Sequence, residues 1–338
     1  MSKNTAPTQK SLKNPFVLGA VLVAGMMIGS LGMYAWLQAG ESPAKKTDEL
    51  RSLSDRGHTL TNPLLACADV PEAISIGDRK KLQSEVQQII DKSKADGSIT
   101  EASVYYRDLN NGPWFGINEE AKFDPASLFK VPLAMTYLWL ANEGQDVLDE
   151  QIEYKGPPGT TVAFFPPSMR LPVGHIYTIR ELIEYMLKYS DNDAAYILSG
   201  YAGLDERNQI YTDLGLEKLQ EGKDYIVDVH TYASFFRILY NATYLGLQNS
   251  EYILKLLSET DFNKGIVAGV PAGTAVAHKF GEHVTETPAG KVYQLHDCGI
   301  VYAPDKPYVL CVMTRGRDMQ KLPGFISSVS KVVYDEVH

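Results

Sequence analysis

Residues 14–40 carry no charge, and the stretch from Pro15 to Leu37 is apolar and long enough to cross a bilayer as one helix. Lys3, Lys10 and Lys13 precede it, and no acidic residue occurs before Glu41. The positive-inside bias therefore predicts a cytoplasmic tail over 1–14, a membrane anchor over 15–38 and an extracytoplasmic remainder, the pattern of a single-pass cell-membrane protein. The apolar run exceeds a usual signal-peptide core and lacks a clear small-residue cleavage pattern, so the anchor is expected to stay uncleaved. Gly25 and Gly29 have helix-contact spacing, which is also ordinary in spanning helices.

Residues 39–79 mix charges with little apolar periodicity and read as a linker. From 80 to 338 the pattern is that of a folded domain. Leu82, Val86, Ile89 and Ile90 set a helical period over Lys80 to Lys94. Ala102 to Asp108 alternates like a strand, Asn110-Asn111-Gly112 marks a tight turn, and Trp114 to Ile117 returns as the second arm of a hairpin. Leu128 to Leu140 is apolar on nearly every helical face, with Lys130 its only charge, which predicts a buried helix. Asp124-Pro125 suits a turn, and Pro132 is tolerated in a first helical turn, so that helix is expected to start at about Ser127. Helical periodicity dominates Tyr177 to Leu247, with loops over Pro166 to Pro172 and Gly222 to Asp228. Strand patterns resume from Ala275 to Ala303 and Tyr308 to Thr314, and a helix closes the chain. Strands at both ends with helices between them predict an α+β fold: one antiparallel sheet built from about 80–125 and 270–338, beside a helical part over about 126–269.

Composition narrows the function classes. The formal net charge is -9 with no basic stripe, which argues against a nucleic-acid partner. Three cysteines cannot all pair within the chain. Cys298 and Cys311 fall on two arms of a predicted hairpin, where they either face each other or serve as small core residues. No Cys/His/carboxylate spacing suggests zinc, although His278 and His283 lie near each other, so neither metal nor cofactor is expected.

Three short motifs carry chemistry: Ser127-Leu128-Phe129-Lys130, Ser190-Asp191-Asn192 and Lys279-Phe280-Gly281. They supply a hydroxyl nucleophile, a lysine to activate it, a second hydroxyl to relay protons and a second lysine to hold an anion, which suffices for serine acyl transfer without histidine. Ser-x-x-Lys also occurs at Ser42 to Lys45 and Ser328 to Lys331, in a charged linker and a polar-faced helix, where a lysine keeps its ordinary pKa. Lys130 differs because an apolar helix desolvates it and lowers its pKa, bringing a neutral amine within reach of physiological pH. The helix period places that amine one turn from the Ser127 hydroxyl, within one hydrogen bond. The alternative is Ser127 as an N-cap and Lys130 reaching to the surface.

In their order and element types these motifs resemble the class A serine β-lactamases and the related penicillin-binding peptidases, over nearly everything from Lys80 onward. The resemblance implies that Ser127 is acylated, that Lys130 is its base or part of its proton network, and that Ser190 passes a proton to the leaving nitrogen. It implies that Asn192 bonds a substrate side-chain amide and that Lys279 attracts the substrate carboxylate. It places the backbone N–H groups of Ser127 and Glu282 in an oxyanion hole, with Gly281 keeping the ligand's approach open. Two features depart from the family pattern. Phe280 stands where the third motif has a hydroxyl, so His296 on the neighbouring strand is a candidate replacement contact for substrate, or simply a core histidine. The acidic loop before Val229-His230-Thr231 is shortened, and Glu217, Glu221, Asp224 and Asp228 are its only carboxylates. Acylation is therefore expected to outrun hydrolysis. Phe164-Phe165-Pro166-Pro167 falls where the family has a loop at the cleft mouth.

These observations point to a membrane-anchored hydrolase acting on a small-molecule β-lactam. A D-alanyl-D-alanine carboxypeptidase or transpeptidase acting on the peptidoglycan stem peptide uses the same nucleophile. A non-catalytic module that binds lactam or peptidoglycan is the third reading.

Overall fold

In the computed structural model, residues 59–62, 76–110, 112–157 and 163–337 are described. The predicted tail and anchor lie outside them. Among the described residues no helix is long and apolar enough to cross a membrane.

The first helix among the described residues, α1 (Ile76–Ala95), begins inside the stretch read as linker. Residues 59–61 are fastened down as well: the Glu251 carboxylate accepts hydrogen bonds from the N–H groups of Thr59, Leu60 and Thr61 at 2.7, 2.9 and 2.8 Å, and the Tyr302 hydroxyl donates to Leu60 O at 2.7 Å. Mixed charge without periodicity thus conceals a short segment held by its backbone, which no side-chain pattern records.

Strands β1 (Glu101–Asp108) and β2 (Trp114–Ile117) form the predicted hairpin. Helix α2 (Lys130–Asn142) follows a 3-10 turn over Ala126–Phe129. Two three-residue strands, β3 (Gln151–Glu153) and β4 (Ile176–Thr178), pair with each other; they are too short for an alternating pattern and were not expected. Among the described residues four α-helices follow: α3 (Ile179–Lys188), α4 (Asn192–Tyr201), α5 (Leu204–Asp213) and α6 (Val229–Tyr240). Helix α7 (Gly246–Ser258) leads back to the sheet. Strands β5 (Val276–Thr287), β6 (Gly290–Val301) and β7 (Tyr308–Gly316) and helix α8 (Leu322–Val337) end the fold.

The five-stranded sheet has the order β2-β1-β7-β6-β5 with every pair antiparallel, so two segments distant in sequence share one sheet as predicted. Two apolar clusters divide the core. One joins the helical part to one sheet face through residues such as Leu138, Ile183 and Phe236, and the other packs α1 and α8 on the opposite face through Val86, Leu310 and Val329. Cys298 and Cys311 sit directly opposite on β6 and β7, are fully buried, and are joined as a disulfide, so the pairing prevails over the separate core-residue role.

The topology positions the site by leaving β5 at the sheet edge. Its motif residues lie against the 3-10 turn that carries Ser127.

Candidate active site

Helix α2 is buried along almost its whole length, and Lys130, its first residue, is fully buried with it. The turn before it differs from a simple helix start. Asp124 Oδ1 accepts from Ala126 N at 2.7 Å, and Ala126 takes a left-handed φ of 48°, so Ser127 sits on a tight 3-10 turn rather than in the first turn of the α-helix. Ser127 is half-buried and faces a cleft of about 690 Å³, whose walls also include Ser190, Asn192, Phe165, Phe280 and Glu282.

Gly281 belongs to the contact between β5 and this turn. A Cβ there would stand 2.8 Å from Pro125 O, 3.1 Å from Ser127 N and 3.2 Å from Leu128 N. Only glycine lets the strand edge approach the nucleophile's backbone this closely, so its smallness serves that packing, where the sequence suggested room for the ligand.

The amine of Lys130 does not bond the Ser127 hydroxyl as expected. It donates to Ser190 O at 2.6 Å, Asn192 Oδ1 at 2.7 Å and Ser190 Oγ at 3.2 Å. Ser190 adopts a left-handed φ of 54° just ahead of α4, and its carbonyl and the Asn192 amide give the buried amine acceptors that the Ser127 turn does not. Lys279, also fully buried, donates to the same Ser190 Oγ at 2.8 Å and to Phe280 O at 2.9 Å. One hydroxyl therefore lies between two amines. Burial lowers the Lys130 pKa to about 7, against the opposing charges of Asp191, Glu282 and Asp193. Burial and the Lys130 charge push Lys279 well below its usual range. A shared pair with weakened hold on protons can pass one through Ser190 to or from the cleft.

His296 does not supply the predicted substrate contact. It is fully buried, its Nε2 donates to Asp124 O at 2.9 Å, and its Nδ1 accepts from Thr314 N at 3.3 Å. Both ring nitrogens are thus occupied in holding the Asp124 turn to the sheet, and burial brings its pKa down to about 3. Phe280 stacks on Phe262 at 4.2 Å and puts its ring 4.2 Å from Lys279 Nζ, where a hydroxyl was missed. His278 instead bonds Asp297 Oδ1 at 2.7 Å beneath that stack, and Asp297 accepts from Ile266 N.

The carboxylates of the shortened acidic segment separate clearly. Asp228 caps α6 through Thr231 N at 2.7 Å and pairs with Lys122 at 2.6 Å, a structural role. Glu217 lies away from the cleft lining and Glu221 borders a neighbouring cavity, leaving Asp224 as the one of the four on the cleft itself. The side chain of Glu282 does something that no motif announced: its carboxylate accepts from Phe164 N at 3.0 Å and Phe165 N at 3.2 Å, tying the aromatic loop across the cleft mouth to β5. Burial raises its pKa, while those two bonds and the neighbouring lysines oppose the rise. The decoy Lys331 pairs with Asp335 at the surface.

Comparison with known proteins places this geometry. The model of the beta-lactamase enzyme family matches residues 81–337. A β-lactamase of Bacteroides uniformis is 26% identical over 283 residues, covering 76% of this chain and 93% of that protein. The extended-spectrum β-lactamase PER-1 of Pseudomonas aeruginosa is 26% identical over 217 residues, covering 59% of this chain and 70% of the relative. Among solved structures, a β-lactamase from Chitinophaga pinensis superposes with a TM-score of 0.66 at 23% identity, covering 76% of this chain and all of that one. The structure of PBP-A gives 0.63 at 21% identity, covering 79% of this chain and 98% of the other. With three motifs converging on one cleft and a family match spanning three quarters of its length, the chain belongs to the beta-lactamase enzyme family.

Proposed function

We propose that the protein is a membrane-anchored, extracytoplasmic serine β-lactamase that opens the lactam amide through an acyl-Ser127 intermediate. The observation that carries the reading is the convergence of Lys130 and Lys279 on Ser190 Oγ at 3.2 and 2.8 Å beside the nucleophile's turn. The family match and the β-lactamase relatives support the same chemistry. A solved neighbour, a PBP-A variant with TM-score 0.61, was captured as an acyl-enzyme with penicillin G.

Ser127 Oγ attacks the lactam carbonyl while its proton passes into the network that the neutral amine of Lys130 forms with Ser190. The oxygen that becomes negative meets the N–H groups of Ser127 and Glu282. Ser190 then gives its proton to the lactam nitrogen as the C–N bond breaks, and the lysine pair restores that proton. Asn192 spends its Oδ1 on Lys130, leaving its Nδ2 to donate to the carbonyl of an acylamino chain. Water must next cleave the ester. Of the shortened segment's four carboxylates Asp224 alone lines the cleft, with no bond that aims it at the ester, and deacylation is expected to be the slow step. The uncharged run over 15–38 and the lysines before it support the anchor.

Turnover of a chromogenic cephalosporin tests the reading. The parent should open the lactam and Ser127→Ala should not; equal rates in both would refute it. Carbonate extraction of membranes from expressing cells tests the anchor, with the full chain expected to stay in the pellet.

A further inference from the structure

The cleft does not end at Asn192. Its lining continues to Ser199 on α4, Arg207 and Tyr211 on α5, and Leu219 and Tyr225 in the segment between α5 and α6. A neighbouring cavity of about 490 Å³ shares Ser199, Arg207 and Leu219 with it. The two spaces therefore adjoin at these three residues.

The segment between α5 and α6 is held as an arch. At one foot Asn208 uses both amide atoms, accepting from Leu219 N at 2.7 Å and donating to Leu219 O at 3.0 Å. At the other, Val227 and Phe123 exchange backbone bonds of 2.9 Å each. Leu219 is thus pinned in the wall that it forms with Ser199 and Arg207.

Arg207 gives this wall its chemistry. It is half-buried, and its Nε makes a 3.4 Å bond to Gly203 O within its own helix. Among the described residues no carboxylate forms an ion pair with its guanidinium. Asp224 and Glu221 stand on the arch with Lys223, and neither acid closes on it. With Nε engaged, the Nη1/Nη2 edge of this planar guanidinium still matches a carboxylate in two-pronged fashion. From Asn192 to Ser199 is seven residues of helix, roughly 10 Å of rise. An acyl chain ending in a carboxylate about 6 Å beyond its amide closes most of that distance, and the arginine side chain supplies the rest.

We propose that the cleft has an anion-binding arm centred on Arg207, which takes a terminal carboxylate on the acyl side chain of a β-lactam. The proposal rests on the lactam reading for its ligand class, and its test is separate. In a Ser127→Ala background, which stops acylation, calorimetry measures the binding of glutaryl-7-aminocephalosporanic acid and of its phenylacetyl counterpart. Arg207→Gln should weaken the glutaryl compound about tenfold or more, the loss expected for a charged hydrogen-bonded pair, and the phenylacetyl compound less than twofold. Leu219→Trp, which fills the space beside Arg207 and keeps its charge, should reproduce the same selective loss. Equal effects on both compounds, or none on either, would overturn the arm. Ser127 that is never acylated, together with Arg207-dependent binding, would instead sink the hydrolase reading and leave the arm standing.

Discussion

The pH dependence of acylation follows directly from the burial of Lys130. With its pKa lowered to about 7, the amine is half neutral at that pH, about one tenth neutral at pH 6 and about one hundredth at pH 5. Only the neutral form can take up a proton that Ser127 gives to the network. The single-turnover acylation rate should therefore fall about fivefold from pH 7 to 6 and about fiftyfold from pH 7 to 5, and gain no more than about twofold above pH 8. Rapid mixing with a lactam whose ring opening is coloured measures this. The midpoint belongs to the Lys130–Lys279 pair, since both amines bond Ser190 Oγ. Glu282 supplies an internal control. Its charge holds the Lys130 pKa up, so Glu282→Gln should move the acid limb to lower pH. An acylation rate flat from pH 5 to 8, or a limb that stays put or moves upward in that variant, would refute the reasoning.

Further expectations concern the site's supports. Gly281→Ala drives a Cβ to 2.8 Å from Pro125 O, so thermal denaturation should show a loss of about 1–3 kcal/mol and acylation should slow at least tenfold; unchanged values for both would mean that β5 does not fix the nucleophile turn. Replacing Glu282 by alanine frees the Phe164 and Phe165 amides, whose hydrogen exchange should accelerate while exchange in β6 is unchanged. The Cys298–Cys311 disulfide closes a loop with a sequence separation of 13, and removing it as a double alanine variant should cost about 3 kcal/mol in denaturant unfolding. An identical midpoint with and without the pair would show that the bond contributes nothing.

Much of the architecture was legible because its signals are local. The all-round apolar pattern of 128–140 identified a buried helix, and the alternation in 102–108 with the strand patterns of 275–303 and 308–314 identified strands, so a sheet built from distant segments followed. The three motifs likewise named the residues that meet at the cleft. Partnerships across long separations were not legible. The Glu282 carboxylate reaches the Phe164 backbone 118 residues away, and backbone amides carry no sequence signature. The Lys130 spacing suggested Ser127 as its partner, yet the left-handed turn at Ser190 presents a carbonyl that the amine prefers. His296 was read from its strand position alone, which fixes a face of the sheet but not the Asp124 carbonyl waiting there. Phe280 was read only as a missing hydroxyl for substrate, and nothing in the motif announced that its ring lies 4.2 Å from Lys279 Nζ.

The central claim is a covalent bond to one serine. Intact-protein mass spectrometry over time after mixing with benzylpenicillin, followed by peptide mapping, tests it most directly. The account predicts a mass increase of one whole penicillin, located on the peptide containing Ser127, which decays slowly as the ester hydrolyses. No adduct and no consumed lactam, or an adduct on another serine, would contradict it.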